Sequence, residues 1–239
     1  MVGHNDAVNV VARRSTGRLL VTAACLLTIG CSSTVSGNAV RDPRVVPVDV
    51  PVLRESQLDD VMLSLDELAD VVGAAELETL VDDEVMSDNL DVASDPDCLG
   101  AVMGAEESVY ADSGWTAVRD QVVADSNDEH WIEQTAVLFS SDAEASRFYD
   151  QSASAWEECA GYSVTIEDTD LSYVWGIGDL SADDDMLVQV TTEEESPDWM
   201  CQHALSAASN LIVETWACTY GGSDGAIDIA ERMLDNARG

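Results

Sequence analysis

Along this 239-residue chain the apolar positions change period several times, and each change marks an element. Leu19 to Gly30 is an unbroken apolar run without a charge. At roughly 12 residues it is too short for a transmembrane helix, which needs about 20. Ser32 to Val52 has neither helical nor strand period and carries Pro43, Pro47 and Pro51, the composition of an extended tether. Ser64-Leu65-Asp66-Glu67 then has the form of a helix capping box. Leu65, Leu68, Ala69 and Val72 share one face, and Gly73 is placed to end the helix. Residues 76 to 97 are acidic and irregular, which predicts a loop with a short helix.

Beyond Cys98 the period becomes that of strands. Trp115 to Val123 and His130 to Phe139 flank the turn-forming Asp125-Ser126-Asn127-Asp128. Ser141-Asp142-Ala143-Glu144 predicts a second capping box. It opens a helix with Ala145, Phe148, Tyr149, Ser152, Ala155, Trp156 and Cys159 on one stripe. Further strands are expected over residues 162–167, 173–177, 186–193, 199–206 and 211–220. A last helix near 224–236 has acids early (Asp224, Asp228) and Arg232 late, as the helix dipole favours. Strands grouped between helices, without regular βαβ alternation, predict an α+β fold: a central antiparallel sheet with packed helices.

The strand register bears on the cysteines. The four distal ones, Cys98, Cys159, Cys201 and Cys218, allow three pairings. If Ser209-Asn210 is a two-residue turn, Cys201 falls opposite Cys218 at a non-hydrogen-bonded pair. There Cα atoms approach to about 4.5 Å, within the range of a disulfide. Cys98 then pairs with Cys159 by elimination. A zinc site is disfavoured, because no two of these cysteines have the short spacing of metal-ligand pairs. No metal and no cofactor are expected.

The N-terminus supplies an address. Arg13, Arg14 and Arg18 precede the apolar run, the pattern of a secretory signal peptide over residues 1–30. The run ends at Gly30-Cys31-Ser32-Ser33, which resembles a bacterial lipobox and makes Cys31 the candidate lipidation site, although Thr28 stands where a larger aliphatic residue is usual. Cleavage after Ala39 with release of a soluble protein is the alternative. The expected organisation is signal peptide 1–30, tether 31–53 and a folded domain 54–239. It would be anchored through lipid to the outer face of the cytoplasmic membrane, or secreted if Cys31 is not acylated. All ten basic residues are arginine, against 47 acids, for a formal net charge of −37. That balance excludes nucleic acid and anionic membrane surfaces as primary partners.

Candidate chemistry is sparse. On the predicted hairpin His203 faces Trp216, with Leu205 and Glu214 the next pair on that face. His203, Glu214 and Trp216 are the candidate ligand-binding residues; the competing reading is a half-buried cross-strand cluster without a ligand. His130 is expected at the surface. No nucleophile elbow, zinc helix, phosphate loop or EF-hand spacing occurs. The acid runs at 82–84, 183–185 and 193–195 read as solvated loops, with weak Ca²⁺ binding as the alternative. The six tryptophans, at 115, 131, 156, 175, 199 and 216, are expected mostly in the core, although sugar sites also use such rings.

Tyr110-Ala-Asp-Ser-Gly-Trp-Thr-Ala-Val-Arg-Asp-Gln121 resembles the signature of the PknH-type extracellular sensor domain of mycobacteria and their relatives. Trp131-Ile-Glu-Gln134, Ala155-Trp156 with Cys159, Trp199 with Cys201-Gln202, Ala204-Leu205 and Cys218 extend the match over roughly residues 55–237. The resemblance implies an α+β domain with an antiparallel sheet, two disulfides and a ligand-sized cleft. It implies no binding residues. The chain departs at Asp120, where the family commonly has glycine, which raises the question of a local turn or bulge. The combined expectation is a non-catalytic, exported, sensor-like domain that binds a small molecule or cell-envelope component. The alternative is a protein-interaction module that docks an envelope partner or receptor.

Overall fold

The computed structural model describes residues 50–168, 171–183 and 186–239. The expected signal peptide, Cys31 and the tether up to residue 49 lie outside the described residues, as do Asp184 and Asp185. Among the described residues no helix is long and apolar enough to cross a membrane.

The strands are β1 (Glu78–Asp83), β2 (Trp115–Ala124), β3 (His130–Phe139), β4 (Ser163–Asp168), β5 (Leu171–Ile177), β6 (Ser181–Asp183), β7 (Met186–Glu193), β8 (Trp199–Ala208) and β9 (Leu211–Tyr220). They form one antiparallel sheet in the order β1-β2-β3-β9-β8-β7-β5-β4, with β6 pairing β7. The helices are α1 (Leu58–Val61), α2 (Leu65–Val72), α3 (Glu107–Tyr110), α4 (Asp142–Cys159) and α5 (Gly225–Arg238).

Helices cover both faces of the sheet. On one, α1, α2 and α5 bury Leu58, Leu68, Ile229 and Met233 against Val123, Ile132, Ala204 and Val213. On the other, α4 and the 3-10 turn Pro96–Ala101 bury Phe148, Trp156 and Ala101 against Val137, Leu205 and Ile212. The α4 stripe is buried at Ala145, Phe148, Ser152, Trp156 and Cys159, the 3.6-residue spacing expected from the sequence.

The chain is packed by Val50, four residues before the expected boundary. Val50 and Leu53 are both buried. Asn210 explains why: its Oδ1 accepts from Leu53 N (2.8 Å), and its Nδ2 donates to Leu53 O (3.1 Å) and Phe139 O (3.2 Å). Gln134 holds the next stretch in the same way, accepting from Leu63 N (2.9 Å) and donating to Leu63 O (2.8 Å).

The first capping box is formed in full. Ser64 Oγ accepts from Glu67 N, and Glu67 Oε2 accepts from Ser64 N (2.9 Å) and Ser64 Oγ (2.7 Å). Those hydrogen bonds from Ser64 hold the Glu67 carboxyl below its ordinary range. Gly73 ends α2 in the left-handed region (φ 77°), where a Cβ would be strained. The second box is only half made. Ser141 Oγ accepts from Glu144 N, but the Glu144 carboxylate is taken by the Ser140 hydroxyl instead of reaching back to Ser141. In α5 the cation of the last turn is Arg238, paired with Asp235, and Arg232 sits mid-helix.

β1 replaces part of the loop expected over 76–97. It is an edge strand whose side chains are exposed on both faces except at Val81, so it lacks the alternation that marks a half-buried strand. No bulge occurs at Asp120. That residue pairs regularly with Thr135, and the β2 irregularity lies between Trp115 and Ala117.

Both disulfides join the expected partners. Cys201 and Cys218 face each other across β8 and β9 with Cα atoms 3.9 Å apart, and Cys98 joins Cys159 with Cα atoms 5.7 Å apart.

Candidate functional site

The face of the sheet beneath α4 changes character row by row, because in-register pairing carries each alternate residue across several strands. Val118, Val137, Ile212 and Ala207 form an apolar row. The next is Asp120, Thr135, Glu214, Leu205 and Leu187. Then come Val122, Glu133, Trp216, His203 and Gln189, and after them Ala124, Trp131, Cys218, Cys201 and Thr191. Two polar rows thus lie between an apolar core and an outer row that holds Trp131 and the Cys201–Cys218 disulfide.

The polar rows are almost wholly out of water. Glu214 is 3% exposed and His203 0%, so they are not the half-buried pair expected from the hairpin. Three donors converge on the Glu214 carboxylate: Tyr110 Oη (2.7 Å), Ala105 N (3.4 Å) and His203 Nε2 (2.9 Å). Tyr110 is pushed well above its ordinary range by burial and by the nearby Glu214 charge. The His203 ring is clasped between Trp216 and Trp156, each with a centroid separation of 3.9 Å. Burial lowers its pKa despite the Glu214 partner, so the imidazole is neutral at pH 7.

Asp120 and Glu133 share the second half of this layer. Asp120 Oδ1 accepts from Thr135 Oγ1 (2.7 Å), and the two carboxyls hydrogen-bond to each other. Burial pushes Asp120 up to about 6. It pushes Glu133 well above the carboxylate range, helped by the charges of Asp120 and Glu214. Two carboxyls at bonding distance hold one proton between them, because desolvated like charges cannot both ionise cheaply. Glu106, also buried, is raised by the same cause although Asn89 donates to both of its oxygens from N (2.9 Å) and Nδ2 (2.6 Å).

Above this layer the sheet and the 102–106 segment enclose a cleft of about 810 Å³. Trp131, Trp175, Trp199, Trp216, Tyr173 and Tyr220 line it, together with Glu106, Glu133 and the Cys201–Cys218 disulfide. Leu80 and Tyr220 stand exposed at its mouth. Of the three residues singled out from the hairpin, Trp216 lines the cleft, whereas His203 and Glu214 lie behind its floor. Of the six tryptophans only Trp156 and Trp216 are buried; Trp131, Trp175 and Trp199 join Trp216 in the cleft wall, so most are not in the core as expected. His130, expected at the surface, is half-buried and lines the cleft, held by Asp125 Oδ2 (2.8 Å). Asp125, Glu129 and His130 place one ligand atom each within 4.8 Å of one another, a grouping the spaced acid runs did not suggest. Asp125 also accepts from the N–H groups of Glu129 and His130, which makes this grouping a lock on the β2–β3 turn.

A family model for the PknH-like extracellular domain matches residues 53–236. The chain belongs to that family. It is 31% identical over 195 residues to the serine/threonine-protein kinase PknH of Mycobacterium bovis, covering 81% of this chain and 33% of that kinase. The PknH of Mycobacterium tuberculosis matches equally, at 31% identity with 31% of the kinase covered. The chain therefore spans about a third of the length of the curated relatives it matches. The crystal structure of the extracellular domain of PknH from Mycobacterium tuberculosis superposes with a TM-score of 0.73 at 29% identity, over 79% of this chain and 98% of that one. The resemblance read from Tyr110–Gln121 and the α+β expectation both hold. The family is extracellular, which supports an exported, cell-envelope location. The matched part of the kinase is its extracellular domain, and nothing in the match transfers catalysis to this PknH-like domain.

Proposed function

We propose that this PknH-like domain is a non-catalytic recognition module that binds a small molecule or cell-envelope component in the aromatic cleft, held to the membrane by a lipid on Cys31. The observation that carries the reading is the cleft wall: four tryptophans and two tyrosines around about 810 Å³, the size and lining of a small-molecule site. A chain with no ligand to receive has little reason to leave so much aromatic surface around a concavity. The disulfide-braced sheet beneath supplies a pre-formed floor, which limits the ordering cost of binding.

The test is thermal unfolding of the oxidised protein with envelope glycan fragments, phospholipid vesicles or Ca²⁺, with tryptophan emission followed in parallel. A true ligand at about 100 times its Kd adds about 2.7 kcal/mol. In a domain of this size that raises Tm by roughly 5–10 °C. Trp199→Ala should abolish the shift. A correctly oxidised protein that shifts with none of the panel rejects the reading. The anchor is tested separately: full-length protein should partition with membranes, and Cys31→Ala should release it. Membrane association unchanged by that substitution removes the lipid anchor from the proposal.

A further inference from the structure

The cleft floor has acids without a basic partner. Glu106 and Glu133 line it, and Asp120 and Glu214 stand directly behind them. The protein contains no lysine. Among the described residues the arginines are Arg54, Arg119, Arg147, Arg232 and Arg238, and none lines the cleft. Arg119 is committed to Asp59 and Asp82. Of the two histidines among the described residues, His130 lines the cleft but is held by Asp125, and His203 is sandwiched between tryptophans behind the floor with Nε2 on Glu214.

A second observation is independent of the acids. Trp216, 3% exposed, lines the cleft, and its Nε1–H is buried without an acceptor among the described residues. Buried indole N–H groups normally find a partner. This one lies beside Glu133: a Cβ placed on Gly104 would come within 2.9 Å of both Trp216 Nε1 and Glu133 Oε2. Glycine at 104 thus lets the backbone pack close to both groups, where a side chain would clash with them. The outer walls are aromatic faces, which attract cations through their quadrupoles.

Resting on the cleft-binding reading, we propose that the cleft takes an organic ammonium ion with an oxygen acceptor next to its charge, the amino-alcohol and aminosugar class. The ammonium lies at Glu133 and Glu106, the oxygen accepts from Trp216 Nε1, and the carbon skeleton lies against Trp131, Trp175 and Trp199. An anion would meet desolvated carboxyls with no cation to offset it. A neutral polyol would satisfy Trp216 but leave the acids uncompensated. Burial already holds the Glu106 and Glu133 carboxyls above their ordinary range, as expected where a counter-ion is missing.

The test compares three probes on the full-length oxidised protein, by calorimetry and tryptophan emission at low salt and in 0.5 M NaCl: the β1,4-linked disaccharide of glucosamine with both amines free, its N,N′-diacetylated form, and glucuronic acid. The free amine should bind about tenfold more tightly than the acetylated sugar, since charge-assisted hydrogen bonds are roughly twice as strong as neutral ones. Glucuronic acid should not bind. Glu133→Gln should bring the two affinities together, and Trp199→Ala should weaken the free amine. Equal binding of free and acetylated sugars leaves the cleft as a ligand site and overturns the charge assignment. Free-amine binding that survives Trp199→Ala places the probe on the acidic surface and overturns it too. Binding of neither sugar also overturns it, while the envelope panel judges the cleft itself.

Discussion

Removal of the two disulfides is expected to unfold the domain under conditions where the oxidised protein is stable. In the chain-entropy account, the bridge spanning 17 residues contributes about 3 kcal/mol and the bridge spanning 61 residues about 4 kcal/mol. Domains of this kind are stable by only about 5–15 kcal/mol in total. Losing both bridges removes a large fraction of that margin. The two losses should differ in kind. Cys98–Cys159 ties the turn before the 102–106 segment to the end of α4. A Cys98→Ser/Cys159→Ser protein should therefore lose stability and loosen the cover over the buried acids. Cys201–Cys218 joins strands already paired for ten residues on each side of the hairpin. Its removal should leave the register intact while shifting the emission of the tryptophans beside it. Urea titrations of the two double variants and of the reduced protein measure this. A double variant that unfolds at the same urea concentration as the oxidised parent contradicts the assignment.

Stability should also fall as pH rises from about 4.5 to 7, opposite to the usual behaviour of carboxylate-rich proteins. Asp120 is raised to about 6 in the folded state, against about 3.9 in an unfolded chain. Between those values the unfolded chain has released its proton and the folded one has not. The folded state therefore binds more protons, and stability declines with pH until the folded group titrates. A displacement of about two pH units corresponds to about 3 kcal/mol, all of it present below pH 4 and lost above 6. Glu133, also raised by burial, acts in the same direction. Glu67 and Asp125 are lowered, so their contribution disappears only as pH falls below about 4. Surface repulsion among the acids acts in the same direction as Asp120, and 1 M salt screens it. In high salt Asp120→Asn should remove most of the remaining slope, since the amide still accepts from Thr135. Urea midpoints across the pH range decide it: a parent whose midpoint is flat or rises from pH 5 to 7 rules out the shared proton.

The residues of the site were visible in the sequence only where neighbours in space are neighbours along the chain. The β8–β9 hairpin joins strands through two residues, so counting outward from Ser209-Asn210 paired His203 with Trp216 and Cys201 with Cys218. Asp120 and Glu133 come from a different hairpin. They reach the same layer because β3 pairs with β9 across some 80 residues of sequence, and no local pattern encodes that partnership. A weaker signal was present. Trp131, Glu133 and Thr135 alternate on one strand face, as do Glu214, Trp216 and Cys218, and a strand face mixing tryptophan with acid is a poor description of a core. The caps were legible for the same reason as the hairpin: Ser64 and Glu67 complete their motif within four residues. At Ser141 the same motif was intercepted by the adjacent Ser140, a competition that composition does not reveal.

Asn210 gives the domain two ends with different duties. It fastens Leu53 at the tight turn of the β8–β9 hairpin, while the cleft opens toward Trp199 and Tyr220 at the far end of the same strands. Ten residues of extended chain, about 30 Å, separate them. The described chain is therefore fastened, at Leu53, at the pole remote from the mouth. One pole of the β8–β9 pair thus holds the incoming chain and the other bounds the cleft.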